Sequence, residues 1–283
     1  MNNVLFVDKP AGISSFDVCF KLRKVLHTKK IGHTGTLDPG ATGVMIVLYD
    51  KATKANQFLV SDCKEYRTRV LLGVSTDTLD MDGKIIEEKE YSVPEKEDLE
   101  AVLKRFAGDL KQEVPITSAV KVDGERLYKY QQKNLEVELP VRDIHVYSIN
   151  LDEIYADGFS FTCRVSSGTY IRALARDILK ELNLIGTVTE LRRTAIDSVR
   201  TEDCDTLDDI LQGNYRSHDL LELLSSRYET IYLDDLSDVR NGKPLQLNSQ
   251  AEKILISDGK EAVAIYQKQD GSYRCVRGLW YER

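Results

Sequence analysis

The stretch KIGHTGTLDPGATG, residues 30–43, is where groups able to do chemistry crowd together: four glycines and a proline surround His33 and Asp38. Glycine and proline interrupt both helix interiors and central strands, so this stretch is an irregular loop. Its glycines permit close approach of another backbone or a substrate, and Pro39 biases Asp38 toward an extended conformation. An aspartate displayed this way can attack as a nucleophile or take a proton. The plain alternative is an Asp-Pro-Gly turn whose aspartate caps local backbone. A phosphate-binding loop is excluded, because Val44 follows Gly43 where that motif needs lysine. His27 and His33 stand alone among basic and small residues, and the five cysteines (Cys19, Cys63, Cys163, Cys204, Cys275) form no C-x-x-C pair. Neither a zinc site nor a disulfide framework is expected.

The loop needs rigid elements on both sides, and the sequence supplies them. VLFVD (4–8) reads as a strand running into KPAGISS, where Ser14 or Ser15 can cap an amphipathic helix carrying Phe16, Val18, Cys19, Leu22, Val25 and Leu26. VMIVLYD (44–50) is a buried strand, ATKANQFLV a short helix, and YRTRVLLGV (66–74) a half-exposed strand. Residues 75–94 are polar and acidic with turn chemistry, and KEDLEAVLKRFAG is a helix closed by Gly108. After a mixed segment over 111–142, two strand-like runs (144–154 and 159–165) precede the helix SSGTYIRALARDILKEL, with Thr169 as its expected cap. VTELRRTAI is a strand, TLDDILQG a short helix, and 211–228 a loop-rich acidic stretch. Four short β runs end the chain, the last over residues 273–281. Without regular βαβ alternation, this order favours an α+β fold with a largely antiparallel sheet.

Composition narrows the classes. The chain has 283 residues, 42% hydrophobic and 30% charged, with no apolar run long enough to span a membrane. The start, MNNVLFVDKP, lacks the pattern of a secretion signal, so a cytoplasmic address is expected. Lys+Arg 39 minus Asp+Glu 46 gives −7, yet the charge is segregated. Residues 1–60 carry eight basic and four acidic residues (+4), and 161–200 carry seven and four (+3). Residues 77–100 carry three and ten (−7), and 201–283 carry ten and sixteen (−6). Two basic stretches in an acidic chain can steer a phosphate backbone to a local patch if folding joins them.

The run Gly32-His33-Thr34-Gly35-Thr36-Leu37-Asp38-Pro39, continued by Ala41-Thr42-Gly43, resembles the catalytic motif of the TruB family of pseudouridine synthases, the tRNA pseudouridine-55 synthases. Further segments resemble that family in the same order: Asp8-Lys9-Pro10-Ala11-Gly12 with Ser15, Lys51-Ala52-Thr53-Lys54, and Lys64 with Tyr66-Arg67. Thr76-Asp77-Thr78, Asp80, Asp82-Gly83, Ser118-Ala119, Gly168-Thr169-Tyr170-Ile171-Arg172 and Leu191-Arg192-Arg193-Thr194 continue the likeness to about residue 200.

The resemblance implies a pseudouridine synthase fold, α+β with a mixed, largely antiparallel sheet flanked by helices, over residues 1–225. It also implies an RNA-gripping insertion near 111–142 and a small β-rich PUA-like domain over 226–283. It implies Asp38 as the catalytic carboxylate and Arg172 as its cationic partner. Tyr66 resembles the tyrosine that stacks on a flipped base, Tyr170 one that contacts the target nucleotide, Leu191 a pocket-lining residue, and His33 the residue that fills the vacated RNA stack. Lys9, Pro10, Gly35, Thr36 and Lys64 belong to supporting motifs. Because the isomerisation is redox-neutral and transfers no external group, neither cofactor nor metal is expected. The implied partner is the T-stem loop of tRNA, acted on by a monomer without an obligate protein partner and without a membrane. Two departures stand out: Val114 precedes Pro115 where a second proline is usual, and Ala195-Ile196-Asp197-Ser198 follows Leu-Arg-Arg-Thr where a glycine is usual. Two rivals remain: a non-catalytic RNA-binding or RNA-folding protein on this scaffold needs the basic patch but not Asp38, and a uracil-releasing hydrolase needs a second acid that the motifs do not offer.

Overall fold

Apolar and β-branched runs form the strands of this chain, and amphipathic runs with polar caps form its helices. The computed structural model describes residues 2–133 and 135–280. In chain order the first elements are β1 (Asn2–Lys9), α1 (Ser15–Val25), β2 (Ile31–His33), β3 (Thr42–Tyr49) and a 3-10 helix over Asp50–Phe58. There follow β4 (Cys63–Leu72), a hairpin of β5 (Val74–Thr76) and β6 (Ile85–Glu88), α2 (Lys96–Arg105) and β7 (Gly108–Glu113). Next come β8 (Lys121–Val122), β9 (Glu125–Arg126), α3 (Leu127–Gln132), β10 (Val141–Tyr155), β11 (Gly158–Ser166) and α4 (Ile171–Glu181). Then β12 (Gly186–Ile196) and β13 (Val199–Arg200) lead to β14 (Asp205–Thr206), α5 (Leu207–Leu211), β15 (His218–Asp219) and α6 (Leu220–Ser225). The chain closes with β16 (Glu229–Tyr232), α7 (Ser237–Arg240), β17 (Lys253–Ser257), β18 (Ala262–Gln269) and β19 (Ser272–Gly278).

These elements divide into two compact units, one of Met1–Pro39, Val44–Val60 and Thr201–Arg283, the other of Gly40–Gly43 and Ser61–Arg200. In the first unit β1 lies between β14 and β3, with β14 parallel to it, while β15 and β2 add antiparallel pairs at β1 and β3. Leu5, Val7, Val18, Leu22, Met45 and Val47 make the core that seats α1 on this sheet. A separate four-stranded sheet, in the order β16-β17-β18-β19, has its own core around Val239, Ile254, Ile256, Tyr266 and Tyr273. It is clipped to the 3-10 segment by a Lys51–Glu261 ion pair at 2.6 Å, by Lys54 donating to the Trp280 carbonyl, and by the Tyr228 hydroxyl donating to the Phe58 carbonyl at 3.1 Å.

In the second unit the sheet order is β12-β4-β11-β10-β7, antiparallel throughout. Residues 42 and 43 run parallel to β12, with Thr42 opposite Arg192 and Gly43 opposite Arg193. Gly43 has φ +106°, and a Cβ there would stand 2.1 Å from the Arg193 carbonyl oxygen, so only glycine fits. The second half of the glycine loop is therefore pinned to the strand carrying Leu191 and Arg193.

Local details differ from the sequence expectations, for identifiable reasons. Thr169 does not cap α4: the N-cap is Tyr170, without a side-chain bond of its own, because the buried Gln112 carboxamide engages its backbone instead. Gly108 opens β7 with φ +105° rather than closing α2, whose C-cap is Phe106. The acidic stretch 75–94 contains β5 and β6, and 211–228 contains α6, capped by Asp219 on the Leu221 N–H. At the second departure from the family pattern, Asp197 adopts φ +50° and its carboxylate accepts from the Asp62 and Cys63 N–H groups. Those bonds offset the left-handed conformation that glycine takes at little cost. Tyr281, the last residue of the final expected strand, and Asn134, inside 111–142, lie outside the described residues.

Gly43→Ala is expected to destabilise the protein by about 2–4 kcal/mol, since the new Cβ must displace backbone. Urea unfolding measures this, and a change below about 0.5 kcal/mol would contradict the close approach.

Candidate active site

In the first unit the residues around Asp38 are held from both sides by the segment that follows β1. Ser14 is the N-cap of α1 and forms a reciprocal capping box with Asp17, which leaves the next hydroxyl for another task. The Ser15 hydroxyl is buried, accepts from the Leu37 N–H at 2.8 Å and donates to the Leu37 carbonyl at 3.0 Å. On the other side of Asp38, the Pro39 carbonyl accepts from the Gly12 N–H at 2.9 Å and from the Lys9 ammonium at 3.1 Å. Lys9 is fully buried and also donates to the Pro10 carbonyl at 2.8 Å. Gly12 can make its bond because it has φ +83°. Asp38 itself is half-buried, between buried Leu37 and exposed Pro39. Gly35 and Thr36 lie between this grip and β2, whose last residue, His33, stands opposite Val47.

The second unit presents a second group of the expected residues. β4 and β12 place Tyr66 directly opposite Arg193, Thr68 opposite Leu191, and Lys64 opposite Ile196. With side chains alternating along a strand, Lys64, Tyr66 and Thr68 share one face of β4. Tyr66 and Arg193 are both buried. Burial pushes the Lys64 ammonium down to about 8 and the Arg193 charge pushes the same way, while the Asp197 carboxylate pulls back. At the start of α4, Tyr170 has both backbone groups held by one side chain. Its N–H donates to the Gln112 carboxamide oxygen at 2.8 Å, and its carbonyl accepts from the Gln112 amide nitrogen at 3.1 Å. Arg172, only 4% exposed, donates to the Thr78 carbonyl at 2.5 Å, to the Thr117 hydroxyl at 2.8 Å and to the Thr117 carbonyl at 3.3 Å, and it faces the Asp80 carboxylate at 3.4 Å.

The structure thus brings Lys9, Pro10 and Ser15 to the flanks of Asp38 within one unit, and Lys64, Tyr66 and Leu191 onto adjacent strands within the other. It also shows supports that sequence reading missed. Gln112 was visible as an anomaly: β7 alternates Gly108, Leu110, Gln112 on its inner side, where a third apolar residue is expected. Thr117 had no such signal. Asp80 stands in a family-like motif, but its role beside Arg172 depends on a fold contact between residues 92 positions apart. Among the described residues no group of three or more His, Cys, Asp or Glu side chains could hold a metal ion, and no helix is long and apolar enough to cross a membrane.

Comparison with known proteins gives this geometry its context. Residues 23–171 match the model of the TruB family pseudouridylate synthase N-terminal domain. A Mesoplasma florum protein named tRNA pseudouridine synthase B is 37% identical over 286 residues, covering 98% of this chain and 98% of its own. The chain belongs to the TruB family. A Fusobacterium nucleatum member of the same name is 46% identical over 69% of this chain and 68% of its own. Among solved structures, a Cbf5-Nop10-Gar1 complex superposes with TM-score 0.75 at 24% identity, covering 99% of this chain and 85% of that one, which establishes the shared pseudouridine synthase fold. In this TruB-family chain the aspartate loop is the one bracketed by Ser15, Gly12 and Lys9.

Lys64 yields a titration test. Its native ammonium releases its proton near 8, below its ordinary 10.5, so between those values the unfolded chain binds more protons and stability rises with pH. In the lysine-methylated protein, the NMR signal that Lys64→Met removes is expected to titrate near 8; a midpoint above about 10 would contradict this environment.

Proposed function

We propose that this protein is a tRNA pseudouridine synthase that converts the T-loop uridine at position 55 to pseudouridine. The observation that carries the reading is kinship over 98% of the chain with a protein named tRNA pseudouridine synthase B, together with Asp38 on its anchored loop.

The reaction breaks the bond from uracil N1 to the ribose C1′, turns the base, and joins C5 to C1′. N1 ends with a proton and C5 loses one. Atoms and electrons balance within the substrate, so the chemistry requires no cofactor. Asp38 supplies the one carboxylate that starts the exchange, as nucleophile or as base. By family likeness, Arg172 is the cationic partner of that carboxylate. Extruding the target nucleotide costs a few kcal/mol of lost stacking, and stacking on Tyr66 returns roughly 1–3 kcal/mol. Tyr170 contacts the same nucleotide, Leu191 lines its pocket, and His33 fills the gap left in the RNA. Lys9, Pro10, Gly35, Thr36 and Lys64 support these groups. Residues 111–142 grip the RNA loop, and 226–283 form a PUA-like module that extends the contact. The enzyme works as a monomer in the cytoplasm, without an obligate protein partner.

Incubation with an unmodified tRNA transcript, followed by mapping of modified sites, tests this reading. The wild-type protein is expected to place a pseudouridine at position 55, and Asp38→Asn to abolish it while RNA affinity stays within about tenfold, because an amide of equal size can neither attack nor accept a proton. Full activity in Asp38→Asn would refute the role. A wild-type protein that binds tRNA but modifies nothing would leave a non-catalytic RNA binder.

A further inference from the structure

Helix α1 buries Val18, Cys19 and Leu22, yet on its outer side it carries Phe16 and Phe20, 62% and 60% exposed, one turn apart. Exposed large apolar side chains are ordinary when scattered, but paired on one helix face they mark a contact surface. The Arg23 guanidinium lies 5.8 Å from the Phe16 ring centroid and 5.5 Å from that of Phe20, and its buried Nε has no hydrogen-bond partner. A cation at this distance is attracted to the ring faces, so one guanidinium serves both rings.

The surroundings indicate what this surface meets. Lys21, Arg23 and Lys24 give α1 three positive charges, and its one acidic residue, Asp17, is engaged with Ser14 in the capping box. Aromatic faces interleaved with cations suit a strand of nucleic acid: every base offers a π-face, and every phosphate a charge. The stripe also has a fixed relation to the aspartate loop. Phe16 directly follows Ser15, whose hydroxyl holds Leu37, and the stripe runs from there to Lys24 over about 12 Å at the helical rise of 1.5 Å per residue.

We propose that Phe16, Phe20 and Arg23 form a second RNA-contact surface beside the aspartate loop. An unstacked base of the substrate RNA other than the target nucleotide lies against the phenyl rings, and Arg23 and Lys24 take neighbouring phosphates. This rests on the tRNA-modifying reading and adds to it a binding surface that the catalytic motifs do not contain.

Steady-state kinetics on a full-length tRNA transcript, with binding measured at several salt concentrations, tests the surface. The double variant Phe16→Ser/Phe20→Ser is expected to raise KM about tenfold with kcat changed less than about twofold. Phe16→Tyr/Phe20→Tyr, which keeps both ring faces, is expected to restore KM to within about twofold of wild type. Arg23→Gln should lower the slope of log affinity against log salt by about one. Ile86→Ser, which removes another exposed apolar side chain from the β5–β6 hairpin, serves as the control and should leave KM unchanged. A wild-type enzyme that modifies tRNA while the double serine variant keeps its KM within about twofold overturns this proposal alone, and the stripe then serves a protein partner. A wild-type protein that modifies no tRNA overturns both readings.

Discussion

Ser15 carries a single hydroxyl that accepts from one backbone group of Leu37 and donates to the other, and this exchange fixes the chain ahead of Asp38. Behind Asp38, the Pro39 carbonyl is held by the Gly12 N–H and the Lys9 ammonium. Pro39 itself narrows the backbone choices of the aspartate before it. A buried polar group left unmatched costs about 1–3 kcal/mol, and a buried ammonium costs more, so these bonds specify one arrangement rather than merely favouring it. The effect is preorganisation: a carboxylate on a glycine-rich loop, ordinarily free to wander, is fixed before any substrate arrives.

The second unit solves a similar problem with different parts. Arg172 is almost fully buried at the start of α4, where its charge would be unfavourable without partners, and the Thr78 and Thr117 oxygens with the Asp80 carboxylate supply them. Gln112 and Thr117 both belong to the 111–142 segment, so the region expected to grip RNA also sets the backbone of Tyr170 and the guanidinium of Arg172. Change in that segment therefore reaches two residues of the candidate site. Its departure from the family pattern at Val114 leaves the Gln112 and Thr117 contacts in place.

Much of this was legible in the sequence because it is local. Asp38-Pro39 within four glycines has to be a loop, and the apolar runs on either side have to be rigid elements. The α+β class followed from the order of those elements, and the family likeness from motifs kept in sequence order. What stayed hidden was pairwise and long-range. Whether Ser14 or Ser15 capped α1 could not be decided until Leu37, 22 residues away, claimed the second hydroxyl. Thr169 looked like a helix cap by its type, but a glutamine 58 residues distant held the backbone that a cap would serve. The hairpin of β5 and β6 hid beneath acidic composition, because all four residues of β6, two isoleucines followed by two glutamates, are exposed and leave no apolar-polar alternation to read. By type and spacing Phe16 is one more apolar position of α1, and only the packing of that helix shows it facing outward.

Through Leu37, the Ser15 hydroxyl sets the position of the Asp38 carboxylate. The most direct measurement is the single-turnover rate of pseudouridine formation by Ser15→Ala at saturating tRNA, read beside its tRNA affinity. A rate at least about tenfold below wild type is expected, with affinity changed less than about threefold, since only positioning is lost. A wild-type rate in that variant would contradict it.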